Sequence, residues 1–143
     1  MNTTAANSRP LENAPAVPET GAVQAAGRPA QPGTPTITAV HLYPATMNTY
    51  GDRGNVAALS RRAAWRGIQL TWHFVELEEP APENPDLVFM GGGQDRVQHA
   101  VAEDLARRRD WLTAAAHGGA VVFAVCAGLQ LLGRRYVAAD GSQ

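Results

Sequence analysis

Lysine is absent from this sequence and cysteine occurs once: all twelve basic residues are arginine, and the single thiol is Cys126. One cysteine excludes an internal disulfide framework and any CxxC zinc site, and it points to a reducing, cytoplasmic setting. Charge of neither sign is in excess. The formal net charge is −1 and the sequence pI about 6.4, so no whole-molecule field favours nucleic acid or an anionic membrane. The groups Arg61-Arg62, Arg107-Arg108-Arg109 and Arg134-Arg135 are offset by nearby acids or spread along the chain, which predicts solvated helix faces. No run approaches the ~20 apolar residues of a membrane span, and the N-terminus has neither a basic n-region nor an apolar h-region. His41, His73, His99 and His117 are scattered singly without HExxH-type spacing, so no metal site is expected.

Aromatic residues are missing from the first 35 positions, which hold six of the ten prolines. Such a segment is too poor in large apolar side chains to offset the entropy of ordering it. It predicts a disordered tail from Met1 to Pro35 and leaves residues 36–143 for a single domain. Thr36 to Tyr43 is β-branched and aromatic between two prolines and reads as a strand. A polar, glycine-containing loop follows, and Val56, Leu59 and Ala63 then recur at helical spacing up to Gly67, a C′ stop. Gln69 to Glu76 alternates apolar and polar residues, the pattern of a strand covered on one face and placed toward a sheet edge. Asp86 to Met90 is a short apolar run that ends in three glycines, as a central parallel strand would. Gln94 to Ala116 is helical in composition, with the Arg107 to Asp110 cluster marking a break. Ala120 to Val125 is a nearly continuous apolar strand running into Cys126 and a further helical stretch, Leu129 to Gly133. Strands separated by helices predict an α/β fold, a mostly parallel sheet with helices on both faces and its site at the carboxyl ends of the strands.

Two features fall at such ends. A buried strand that turns straight into Cys126-Ala127-Gly128 and a helix has the layout of a nucleophile elbow, and the small neighbours Ala124, Ala127 and Gly128 leave room for backbone to pass close by. The N-terminus of the following helix favours thiolate, the reactive form. A lone cysteine in apolar surroundings is otherwise a small core hydrophobe, and the placement between strand and helix argues against that here. The second feature is Gly91-Gly92-Gly93. Acyl transfer through a tetrahedral intermediate needs backbone N–H groups aimed at the developing oxyanion. The N–H of Ala127 and one from Gly92 or Gly93 are the candidates. The loop has neither the GxxxxGK[ST] nor the GxGxxG spacing, which argues against a phosphate cradle.

These residues resemble the class I (triad) glutamine amidotransferases, whose C-x-G-x-Q signature is matched by Cys126, Gly128 and Gln130. Segments 42–55 (LYPATMNTYGDRGN), 86–96 (DLVFMGGGQDR) and 124–133 (AVCAGLQLLG) place the chain in the CobB/CobQ-like branch, nearest the glutaminase subunits that serve lipid II amidation. The resemblance implies a flavodoxin-like fold and hydrolysis of L-glutamine by Cys126 through a glutamyl thioester. Gln94, Gln130 and the glycine loop would hold the substrate. Ammonia would pass to a Mur ligase-like synthetase subunit that uses ATP and magnesium, with no cofactor in this subunit. Amidation of cobyric or cobyrinic acid is the related alternative, and a non-catalytic partner-binding module the alternative of another class. Asn48, Tyr50, Asp52 and Arg53 belong near the site or partner surface, or else form a loop in which Asp52 caps the helix after it. The resemblance also implies a general-base histidine well beyond the nucleophile. None follows Cys126 before Gln143, so the chain is expected to be the N-terminal part of such a domain, with little turnover alone and an exposed sheet edge.

Overall fold

A computed structural model describes residues 21–24, 33–47 and 52–133. The described elements are β1 (Gly21–Gln24), β2 (Thr36–Leu42), α1 (Asp52–Trp65), β3 (Gln69–Val75), β4 (Leu87–Met90), α2 (Asp95–Arg107), α3 (Arg109–His117), β5 (Val121–Ala124) and α4 (Ala127–Leu131). The five strands form one sheet in the order β1-β3-β2-β4-β5. β2, β3, β4 and β5 run parallel, and β1 pairs antiparallel to β3. Among the described residues no helix is long and apolar enough to cross a membrane.

Alternation along the strands divides the core between the two faces of the sheet. Val40 and Leu42 of β2 and Val88 and Met90 of β4 point to one face, where Val101 and Leu105 of α2 and Ala127 of α4 cover them. Ala39 and Phe89 point to the other, joined by Leu70, Trp72 and Phe74 of β3 and covered by Val56 of α1. The polar side chain of Trp72 is satisfied there, its Nε1–H donating to Ser60 Oγ at 2.9 Å and tying α1 to β3. Gly67 ends the α1 turn at φ +66°, a conformation that costs glycine little.

Three expectations need correction. Gly21–Gln24 falls within the tail expected to lack order, yet pairs with Thr71–Phe74; strand pairing is made by backbone N–H and C=O groups and so needs no large side chains. Arg108 does not lie on a solvated face. Its side chain is 11% exposed, its Nε–H donates to Asp104 and its Nη2–H to the Glu76 carbonyl at 2.9 Å. β5 is apolar throughout but is one of the two outer strands among the described residues, and its alternate side chains Val121 and Phe123 are 62% and 43% exposed. The break expected near Arg107 separates α2 from α3.

Strand order places a topological switch at β2. The chain leaves β2 through α1 to β3 on one side, then crosses back to β4 on the other side. The crevice at the carboxyl ends of β2 and β4 is where such sheets hold their ligands.

Candidate functional site

Cys126 has φ 54° and ψ −119°, outside the regions a side-chain-bearing residue ordinarily adopts. It is exposed. Strain of this kind persists only where neighbouring structure enforces it, and the enforcing contacts are visible. The N–H of Val125 donates to the Met90 carbonyl at 3.0 Å, which carries the β4 pairing to the residue before the bend. Two residues after the bend, the Gly128 N–H reaches the Gly91 carbonyl at 3.1 Å. The Gln130 N–H donates to the Cys126 carbonyl at 3.1 Å and closes the first turn of α4. Ala127 is the first residue of that helix, so its N–H has no intrahelical acceptor.

Gly128 is required by space. A Cβ there would stand 2.8 Å from the Gly91 carbonyl oxygen and 2.9 Å from Met90 Cβ, closer than such atoms approach. Gly91 is required for the same reason on its other side, where a Cβ would overlap the Asp52 carboxylate. Gly93 lies over Met47, whose Cγ would be 3.2 Å from an added Cβ. All three loop glycines are buried.

The expected donors on this loop are not equivalent. The Gly92 N–H donates to Asp52 Oδ2 at 3.0 Å, so it is already engaged and does not point to an incoming oxyanion. A sequence carries no sign of this, because the two residues lie 40 positions apart. Asp52 begins α1 and is 2% exposed. Burial pushes its carboxyl above the usual carboxylate range, and the Gly92 hydrogen bond works against that shift. Asp52 thus reaches across to the glycine loop rather than serving only the start of its own helix.

The structure brings together Asp52, the glycine loop, Cys126, Ala127 and Gly128. Gln94 is exposed just before α2, and Gln130 is exposed near the end of α4. Arg53 is half-buried, and its charge acts on His41. Asn48 and Tyr50 lie outside the described residues.

The histidines are placed elsewhere. His117 ends α3 at the opposite end of β5 from Cys126, roughly 20 Å or more away at ~3.3 Å per strand residue. His99 is exposed on α2 beside Glu103. His73 is half-buried on β3. His41 is 2% exposed, packed among Trp72, Phe74 and Phe89 with Nδ1 unpartnered. Burial first, and the positive charge of Arg53 second, lower its pKa to about 4. Among the described residues no three His, Cys, Asp or Glu side chains are grouped as a metal site.

A second polar cluster, not anticipated from the sequence, braces the neighbouring loops. Asp104 of α2 is 2% exposed and accepts from Tyr43 Oη at 2.8 Å, the Glu78 N–H at 3.1 Å, Arg107 and Arg108. Burial alone would raise its carboxyl, but these donors, Arg108 foremost, leave it below the usual range. Glu76 accepts from Thr46 Oγ1 at 2.7 Å and from the Ala45 N–H. The available signal was an acid on the buried stripe of α2 with an arginine four residues on.

Comparison with known proteins bears on this arrangement. The chain is 40% identical over 108 residues to the lipid II isoglutaminyl synthase (glutamine-hydrolyzing) subunit GatD of Streptococcus pneumoniae (strain ATCC BAA-255 / R6), covering 75% of this chain and 42% of the relative. It is 33% identical over 110 residues to the subunit of the same name from Staphylococcus aureus (strain N315), covering 75% of this chain and 44% of the relative. Hydrogenobyrinate a,c-diamide synthase of Rhizobium meliloti (strain 1021) is 32% identical over 123 residues, 71% of this chain and 28% of the relative. The chain therefore spans less than half the length of these relatives. The CobB/CobQ-like glutamine amidotransferase domain matches residues 38–143, which takes in most of β2, the glycine loop and the Cys126 elbow, and the chain belongs to that family.

Proposed function

We propose that this chain carries the nucleophile and oxyanion-binding half of a glutaminase that supplies ammonia to a synthetase subunit. The observation that carries the reading is the bend at Cys126, exposed at φ 54° and tied through Gly128 to the buried glycine loop. In this reading the Cys126 thiolate attacks the side-chain amide carbon of L-glutamine. Negative charge gathers on the amide oxygen, which the free N–H of Ala127 and the N–H of Gly93 stabilise; each such donor is worth on the order of 10²–10³ in rate. The C–N bond breaks, the nitrogen leaves as ammonia after taking up a proton, and water then cleaves the glutamyl thioester. In this reading Gln94 and Gln130 bind the amino-acid end of the substrate. The general base comes from outside the described residues, since His117 ends α3 at the far end of β5 from Cys126 and His41 is buried among aromatic rings.

The synthetase subunit is a Mur ligase-like partner that activates the D-glutamate carboxyl of lipid II, with ATP and magnesium bound by that partner. Two relatives named as lipid II isoglutaminyl synthase subunits support this over corrin amidation, which one relative of lower coverage supports. The test is release of ammonia from L-glutamine by the intact protein together with a Mur ligase-like partner. Cys126→Ala is expected to abolish release, and retained hydrolysis in that variant overturns the assignment.

A further inference from the structure

The buried carboxylate of Asp52 performs no step in the chemistry above, yet it touches the loop that does. Its Oδ2 accepts the Gly92 N–H at 3.0 Å. The backbone at Gly91 passes so close that any side chain there would collide with the same carboxylate. On the far side of the loop, the Gly91 carbonyl accepts the Gly128 N–H two residues beyond Cys126. These contacts join end to end: the start of α1 holds Gly92, and Gly91 holds the elbow. The loop is gripped from both sides, and Gly93 is the next residue along it.

We infer that Asp52 is a positioning residue: by fixing the Gly92 N–H it sets the distance and direction of the Gly93 N–H relative to Cys126. This rests on the glutaminase reading for what the Gly93 N–H binds. Loss of the acceptor leaves a buried N–H unpaired, and the loop relieves that by turning. Because the Asp52 bond is directional, a turn in the loop misaims Gly93 while leaving the Cys126 thiol as exposed as before. A residue that merely stabilises the fold has no such selective effect.

Two alkylating reagents separate the possibilities in the intact protein. The chloromethyl ketone analogue of L-glutamine passes through an oxyanion when the thiolate adds to its ketone, so its rate reads the oxyanion donors. Iodoacetamide reacts by direct displacement and reads only the thiol. Asp52→Ala is expected to slow the ketone at Cys126 by at least about tenfold, less than loss of a whole oxyanion donor, with the iodoacetamide rate unchanged. Asp52→Asn keeps an acceptor oxygen and should label within about threefold of the parent. Asp52→Glu keeps the charge but pushes the loop outward, and should resemble alanine; it decides the matter if the alanine variant does not fold. Equal slowing with both reagents, or parental ketone labelling in the Ala and Glu variants, overturns the positioning role. Failure of the parent protein to react with the ketone while iodoacetamide labels Cys126 refutes the glutaminase reading instead.

Discussion

The Gly128→Ala substitution tests the close approach of the elbow to the glycine loop. The added methyl would meet the Gly91 carbonyl oxygen at 2.8 Å and Met90 Cβ and carbonyl oxygen at 2.9 Å. These are backbone atoms and a Cβ, none of them the free end of a flexible side chain. Relief therefore requires α4 and β4 to separate. Overpacking of this kind costs about 1–3 kcal/mol. The Gly128 to Gly91 hydrogen bond stretches as the two part, which adds roughly 0.5–1.5 kcal/mol. A loss near 3 kcal/mol corresponds to a fall in Tm of roughly 10 °C or more for a domain of this size. Gly54→Ala is the control, because that glycine lies in α1 with nothing within 4 Å of an added Cβ. Helix propensity there should give a gain of about 0.5–1 kcal/mol. Denaturant unfolding of both variants, with iodoacetamide labelling of Cys126, measures the contrast. Equal stability of Gly128→Ala and the parent, with an unchanged labelling rate, would show that the elbow is not held against β4 as described.

Two further outcomes follow from strain and burial. Cys126→Gly should be more stable than Cys126→Ala by about 1 kcal/mol, since glycine adopts φ 54° freely and alanine does not; chemical denaturation of the pair checks this, and equal midpoints would mean that the bend is unstrained. His41, with its pKa lowered to about 4, stays neutral in the fold while the unfolded chain takes up a proton at its ordinary ~6.5. Between those values the unfolded state binds more protons, so stability falls as the pH drops from about 6.5 to 4, by about 3 kcal/mol in all. His41→Phe should flatten that part of the pH–stability curve, and an unchanged curve would refute the burial argument.

Much of the candidate site was legible because it depends on neighbours in sequence. A run of apolar β-formers followed at once by small residues and a helix can hardly place Cys126 anywhere but on a bend at a strand's end. The glycine triplet after Leu87–Met90 falls at the same edge once the strands run parallel. The role of Gly92 was not legible. Which loop amide remains available depends on Asp52, and that pairing exists only because α1 starts beside the end of β4. The Arg107 to Asp110 cluster marked the helix break correctly, but its charges suggested solvent for Arg108. Its fate depended on a buried acid one turn back and on the Glu76 carbonyl, 32 positions away.

By itself the sequence determined the parallel α/β class, the turn that carries the thiol and the one covered face of β3, because hydrophobic periodicity is written into consecutive residues. Only the tertiary structure decided the order of strands, the pairing of β1, the burial of His41 among three aromatic rings, and which carboxylate grips the glycine loop. Those outcomes turn on which residues, dozens of positions apart, compete for the same buried hydrogen bonds and the same space.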